Sequence, residues 1–310
     1  MLLVIEQICN GLQLGVTLFL MSAGLTLVFG IMQVINLAHG SFYMIGAYVA
    51  ATVTARSGSF LLGMAVALPA AAVVGMLVEM VVLRRLYKKE HVDQVLATFG
   101  LIMFFNELTR IIWGRQPLFM DVPSWLSGCV ELFPGIPYPR YRIAFIGVGL
   151  MVALFLYLMF TRTRIGMQIR AGASNREMAG ALGINIRLLY TLVFGLGTLL
   201  AGLAGVMAGP ILAVEAGMGE SILILTFVVI VIGGIGSVRG AFIGALLVGM
   251  VDTLGRAFLP ALFRMFLSSA HADGVAASVA SMSIYILMAI ILMWRRNGVV
   301  PAPTCGGWLL

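Results

Sequence analysis

Polar side chains are scarce in this chain, so chemistry has to be sought where they interrupt its apolar runs. Asn36, His39, Gly40 and Ser41 place an amide, an imidazole, a glycine and a hydroxyl inside the hydrophobic region 25–55. A backbone break at membrane depth is tolerated only where it is buried in protein or lines a watery cavity, so these four read as the border of a transport path. The alternative is structural, with Asn36 and His39 making hydrogen bonds near a membrane boundary. His39 taken alone favours that second reading over a proton relay or a metal ligand, since His91 and His271 fall in separate predicted loops.

Five acids lie in or near apolar runs: Glu79, Glu107, Glu215, Glu220 and Asp252. Intramembrane acids are functional candidates, but helical spacing pairs Glu107 with Arg110 and Asp252 with Arg256. Ion pairing explains those two without further chemistry. Glu79 precedes Arg84 by one and a half turns, and Glu215 and Glu220 stand in an outward turn at 214–220 that could meet an external partner. Catalytic patterns are missing: there is no HExxH, no GxSxG and no supported pair of carboxylates. The only lysines, Lys88 and Lys89, do not follow the glycines of a phosphate-binding GxxxxGK[ST] loop, so any ATP hydrolysis would have to come from another polypeptide. Cys9, Cys129 and Cys305 lack metal-ligand or CxxC spacing.

The elements that must position these residues are membrane helices. Of the 310 residues 61% are hydrophobic and 10% charged, far below the quarter of charged residues in a soluble domain. Apolar runs long enough to cross a bilayer fall at about 8–30, 36–55, 60–83, 95–113, 143–160, 188–213, 221–237, 240–260 and 278–294. The expected fold is all-α, a polytopic transmembrane bundle of about 8–10 spans. Residues 1–296 form one domain, and an irregular tail follows over 297–310. Segment 114–142, rich in proline, reads as an extracytoplasmic loop with a short interfacial helix. Small residues recur every three or four positions between Gly195 and Gly209, which suits close helix packing. GSFYMIGAYVA at 40–50 and GAFIGALLVG at 240–249 both follow a polar, glycine-bearing stretch, a faint echo of the interrupted repeats of transporters.

Twelve of the 19 Lys and Arg residues cluster at 84–89, 162–187, Arg239 and 295–296, which puts those segments and the C-terminus in the cytoplasm. Nine spans then place the N-terminus outside. The first basic residue is Arg56, so the start has no positive signal-peptide region and reads as an uncleaved first span. The net charge of +7 follows from this topology, and no basic patch for nucleic acid accompanies it.

The longest of these basic loops, Thr161 to Arg187, carries five arginines. Ser174 and Glu177 have capping-box spacing, so a short helix should start at Ser174 and stop at Gly183. Met178, Ala181 and Leu182 share one face of it. Such a helix has no core of its own and calls for a partner.

Three segments together resemble one family: GLTLVFGIMQVINLAHGSFYMIGAYVA at 24–50, TRTRIGMQIRAGASNREMAGALGIN at 161–185 and GGIGSVRGAFIGALLVG at 233–249. They are similar to the membrane permease subunits of ATP-driven (ABC) importers for branched-chain amino acids, with relatives for urea and short amides. The resemblance implies that the loop helix is a cytoplasmic coupling helix, docking on an ATPase through Ser174, Glu177, Met178, Ala179, Leu182 and Gly183. Glu177, Ala179 and Gly183 match the Glu-x-Ala-x-x-x-Gly core of the general importer signature; Met178 stands where a second Ala is common, and the downstream Ile-x-Leu-Pro is absent. It further implies a second permease, identical or paralogous, two ATP-binding subunits that use ATP and magnesium, an extracytoplasmic solute-binding protein, a multi-pass place in a bacterial inner membrane, and alternating access. No cofactor is expected on this chain itself. An ion-coupled secondary transporter is the competing reading from another class.

Overall fold

The computed structural model describes residues 2–87, 89–133, 136–265, 269–295 and 298–300. Long apolar helices dominate, as they must where a backbone cannot hydrogen-bond to water. They are α1 (Leu2–Met32), α2 (His39–Ser57), α3 (Phe60–Val78), α5 (His91–Trp113), α6 (Arg140–Arg162), α9 (Ile186–Ala208), α10 (Met218–Gly233), α11 (Val238–Phe263) and α12 (Ser269–Trp294). Among the described residues seven helices are long and apolar enough to cross a membrane; α3 counts among them with the turns that extend it to Leu86. The 16-residue α10 is apolar but shorter, and α2 is a 19-residue helix buried along most of its length. These helices coincide with the nine apolar runs of the sequence.

The core lies where α1 and α9 cross the bundle, each surrounded by neighbours; α1 packs against α11, α9 and α6, and α9 against α2 and α3. Glycines set the distances at these crossings. A Cβ on Gly24 would stand 2.5 Å from the Gly197 carbonyl oxygen, and one on Gly46 would stand 2.6 Å from Gly202. α11 meets α1 in the same way, with Gly249 against Gly11 and Gly15. Backbone-to-backbone approach of this kind gains the dispersion contacts that hold helices together in lipid.

α3 does not end as an ordinary helix. Glu79–Leu83 form a π-helical turn, followed by the three-residue α4 (Arg84–Leu86). The basic loop after α6 folds into two helices, α7 (Arg164–Ser174) and α8 (Arg176–Ala181). The region 114–142 differs from expectation. Its described residues hold a bridge from Leu118 to Val214, a 3₁₀ turn at Ser124–Leu126 and an antiparallel hairpin, β1 (Cys129–Phe133) with β2 (Ile136–Pro139), in which Val130 pairs with Tyr138, before α6 starts at Arg140. Two prolines fit β2 because it is an edge strand. The Tyr138 hydroxyl donates to the Asn10 side-chain oxygen at 3.2 Å and Arg142 donates to the same atom, fastening the hairpin to the start of α1. Burial pushes the Tyr138 phenol above its ordinary pKa. Of the tail, Val299 and Val300 donate to the carbonyls of Ile232 and Gly233 at the end of α10. The remainder of the tail reading, at 297 and 301–310, lies outside the described residues.

Candidate functional site

Two helices begin inside the bundle rather than at its ends. After α1 the chain runs without helical structure through Gln33–Asn36 and turns at Leu37–Ala38 into α2. Asn36 shapes that turn: its side-chain oxygen accepts from the Ala38 N–H at 3.0 Å. The His39 ring then lies beside Gly24, eight residues before Met32, which is about 12 Å back along α1. From the opposite side, the turn after α9 leads through Gly217, whose φ of +94° is open only to glycine-like backbone, into α10. The two starts touch. A Cβ on Gly40 would lie 2.2 Å from the Gly219 oxygen, and one on Gly219 would lie 2.0 Å from the Gly40 oxygen.

The four residues expected at this break divide into two pairs. Asn36 and His39 are fully buried and point into the protein, where His39 packs edge-on to Phe42. Among the described residues Asn36 Nδ2 and both His39 nitrogens lack a hydrogen bond of normal geometry, although the Met21 carbonyl lies near the ring. Gly40 and Ser41 instead line a narrow crevice of about 10 Å³, together with Met44, Asn106, Gly219 and Glu220. Asn106 Nδ2 donates to Glu220 Oε1 at 2.6 Å, joining α5 to the first turn of α10. Met44 Sδ accepts from the Gly217 N–H at 3.4 Å. Asn106 and Met44 were not singled out in the sequence; the only signal was an amide on the face of α5 that also carries the buried Ile102 and Thr109. A broader, open depression lies elsewhere, between the end of α2 and residues 119–125. It is remote from both breaks. Among the described residues no three His, Cys, Asp or Glu side chains are placed to hold a metal ion.

The basic loop builds an exposed element on a fixed base. Thr163 caps α7, accepting from the Gly166 N–H at 3.1 Å, and Arg170 donates to the Phe160 carbonyl. Gly166 lets α7 fold back on α6: a Cβ there would stand 2.3 Å from the Met159 oxygen. α8 follows at once, and its cap is a correction. Ser174 is the last residue of α7, while Asn175 caps α8 by accepting from the Met178 N–H at 3.0 Å. A capping box from Ser174 would have needed a break one residue earlier, and the α7 ladder carries through Ser174. Gly183 supplies the left-handed stop at φ +86°, and the Ile184 N–H closes back on the Ala179 carbonyl at 3.1 Å. Ala179 is buried, whereas Glu177, Met178, Leu182 and Gly183 are exposed, with Met178 and Leu182 at 60% and 75%.

One side-chain hydrogen bond ties this loop to the break before α2. Arg176 donates to the Gln33 side-chain oxygen at 3.3 Å. Gln33 opens the break before α2 and, among the described residues, is the non-glycine residue with positive φ, +55°, a conformation that costs free energy. Elsewhere a buried carboxylate joins the end of α3 to α9. Glu79, with no exposed surface, accepts from Tyr87 at 2.6 Å, from Thr191 at 2.7 Å and from Arg84 at 3.1 Å. In an α-helix residues five apart point about 140° away from each other; the π turn brings Arg84 back over Glu79. Burial, and then the carboxylate it donates to, raise the Tyr87 phenol well above its ordinary pKa. The two ion pairs read from spacing are both present, Arg110 with Glu107 and Arg256 with Asp252.

A polytopic helical bundle with two interrupted helices meeting at a polar crevice is the architecture of a membrane permease. Residues 7–293 match the family described as the permease component of the branched-chain amino acid transport system, and the chain belongs to that family. It is 31% identical to the high-affinity branched-chain amino acid transport system permease protein LivH of Salmonella typhimurium, covering 86% of this chain and 90% of that one. The corresponding protein BraD of Pseudomonas aeruginosa is 29% identical over 96% of both chains. The ribose import permease protein RbsC of Escherichia coli is 27% identical, over 80% of this chain and 77% of its own. No solved structure matches the chain.

Proposed function

We propose that this protein is the permease subunit of an ATP-driven importer and forms the translocation path for branched-chain amino acids by alternating access. The observation that carries the reading is α8: a capped, exposed helix that follows α7 directly, linked through Arg176 to the turn at Gln33. Residues 1–296 act as one permease domain. Two ATP-binding subunits, using ATP and magnesium, dock on α8 through Glu177, Met178, Leu182 and Gly183. Ala179 holds its inner face, and Asn175 caps the helix. A second permease completes the path, and an extracytoplasmic solute-binding protein delivers substrate to the hairpin end. The protein lies in the inner membrane with its basic loops and C-terminus in the cytoplasm. Closure of the ATPase pair moves α8, and by linkage it can shift the bundle only through contacts that differ between the two states. The Arg176–Gln33 hydrogen bond joins α8 to the break that leads into α2.

The names of the branched-chain relatives support the substrate class; urea or a short amide is the runner-up within the same family. The test is affinity purification of the tagged chain from mild detergent, with mass spectrometry of its companions. Two ATPases and a second permease are expected. A clean homo-oligomer, from membranes shown to retain such complexes, refutes the reading and favours an ion-coupled carrier.

A further inference from the structure

We propose that the depression between the end of α2 and residues 119–125 holds the headgroup of an ammonium-bearing phospholipid. The cavity measures about 470 Å³, within the range of small-molecule sites. Phe60, Phe119 and Trp125 line it, and Asp121 is the one charged residue among its described walls. Ring faces attract an ammonium. Asp121 adds a carboxylate that enters none of the ion pairs among the described residues. Trp125 and Phe119 are 59% and 80% exposed, so both rings stand open beside an unpaired acid.

Position and shape select a lipid over a soluble cation or a protein. With its extension, α3 runs 27 residues from Phe60, at the cavity, to Leu86 in the basic segment. That length is about 40 Å, the thickness of a bilayer with its headgroup layers. The cavity therefore lies at headgroup level on the side away from the basic loops, where tryptophan is favoured. From the cavity inward, Leu62, Val66, Val73 and Leu77 fall on one face of α3, and all four are exposed. This stripe gives acyl chains a bed continuous with the cavity; a partner arriving from water gains nothing from it. Ser59 and Ser124 line the same cavity. The Ser59 hydroxyl oxygen accepts from the Leu62 N–H at 3.4 Å, which leaves its proton to donate to a phosphate oxygen. The loop wall is tied down: Leu118 and Val214 exchange backbone hydrogen bonds at 2.9 Å in both directions, and Met120 packs on Gly209.

For the test, the full chain is purified with the subunits that accompany it, stripped of lipid in detergent and titrated under native mass spectrometry. Phosphatidylethanolamine is compared with its N-acetyl derivative, which keeps the chains and the phosphate and loses the ammonium. Wild type should bind the first about tenfold more tightly at one site per chain. Asp121→Asn and Trp125→Ala should each lower that preference about threefold to tenfold, while Trp125→Phe, which keeps a ring face, should retain most of it. Equal affinity of the wild type for the two lipids overturns the proposal, as does a preference unchanged in both variants. If Asp121→Asn fails to fold, Trp125→Ala decides alone. Soluble phosphoethanolamine binding as tightly as the lipid would assign the site to a free ligand and overturn it. A photo-crosslinker at position 125 that captures an extracytoplasmic protein, with the lipid preference indifferent to Trp125→Ala, overturns it in favour of a protein surface.

Discussion

Replacing Glu79 by alanine tests whether the basic end of the bundle is held by one buried carboxylate. The change removes the acceptor of Tyr87, Thr191 and Arg84 together. Breaking a buried ion pair by deleting one partner costs about 3–5 kcal/mol. Two features place this case at the lower end. The Arg84 side chain is 37% exposed and can be hydrated, and Thr191 keeps the Arg187 carbonyl at 3.0 Å as a second acceptor. Tyr87 has no such fallback among the described residues. The expected loss is about 3 kcal/mol, or an apparent melting temperature lower by about 5–10 °C in a detergent fluorescence scan. Glu107→Ala is the matched control. It also breaks an acid–arginine pair on a membrane helix, but those side chains are 64% and 45% exposed, so the change should stay within about 0.5 kcal/mol. Equal melting temperatures for the two variants would refute the view that Glu79 fastens α3 to α9.

The remaining expectations concern local geometry and coupling. Gly40→Ala should destabilise the fold by about 1–3 kcal/mol, because its Cβ would meet the Gly219 backbone at 2.2 Å. Gly100→Ala, with nothing within 4 Å, should be neutral or stabilising by up to about 1 kcal/mol; the same thermal scan compares them. Asn175→Ala should cost about 1 kcal/mol of α8 stability, seen as faster limited proteolysis of the loop, while Ser174→Ala should leave cleavage unchanged. Arg176→Ala and Gln33→Ala should each weaken the stimulation of ATP hydrolysis by loaded binding protein. The double variant should match the worse single one; additive losses would show that the two residues act independently.

The helices were legible because hydropathy alone separates nine apolar runs, and each became a helix. The Asp252–Arg256 and Glu107–Arg110 pairs were legible because they obey α-helical spacing. Glu79–Arg84 was not, since a five-residue separation faces only across a π turn, and nothing in EMVVL announces one. Ser174 and Asn175 are both good caps with acids nearby; which one ends α7 and starts α8 depended on how far α7 could run along the end of α6. The β1–β2 hairpin was hidden by its prolines, whose edge position became apparent only with the fold. At the crevice the break at 36–41 was visible, but its other walls come from Asn106 and Glu220, 114 residues apart in sequence and brought together because α5 and α10 both pack on α2.

The most direct test is leucine uptake by proteoliposomes that contain this chain with its co-purified subunits and trapped ATP. Uptake that requires hydrolysable ATP, persists when ionophores collapse all ion gradients, and is lost with Gly183→Asp, which strains the α8 stop at φ +86°, is the predicted result. Uptake that an uncoupler abolishes while ATP is held constant would contradict it.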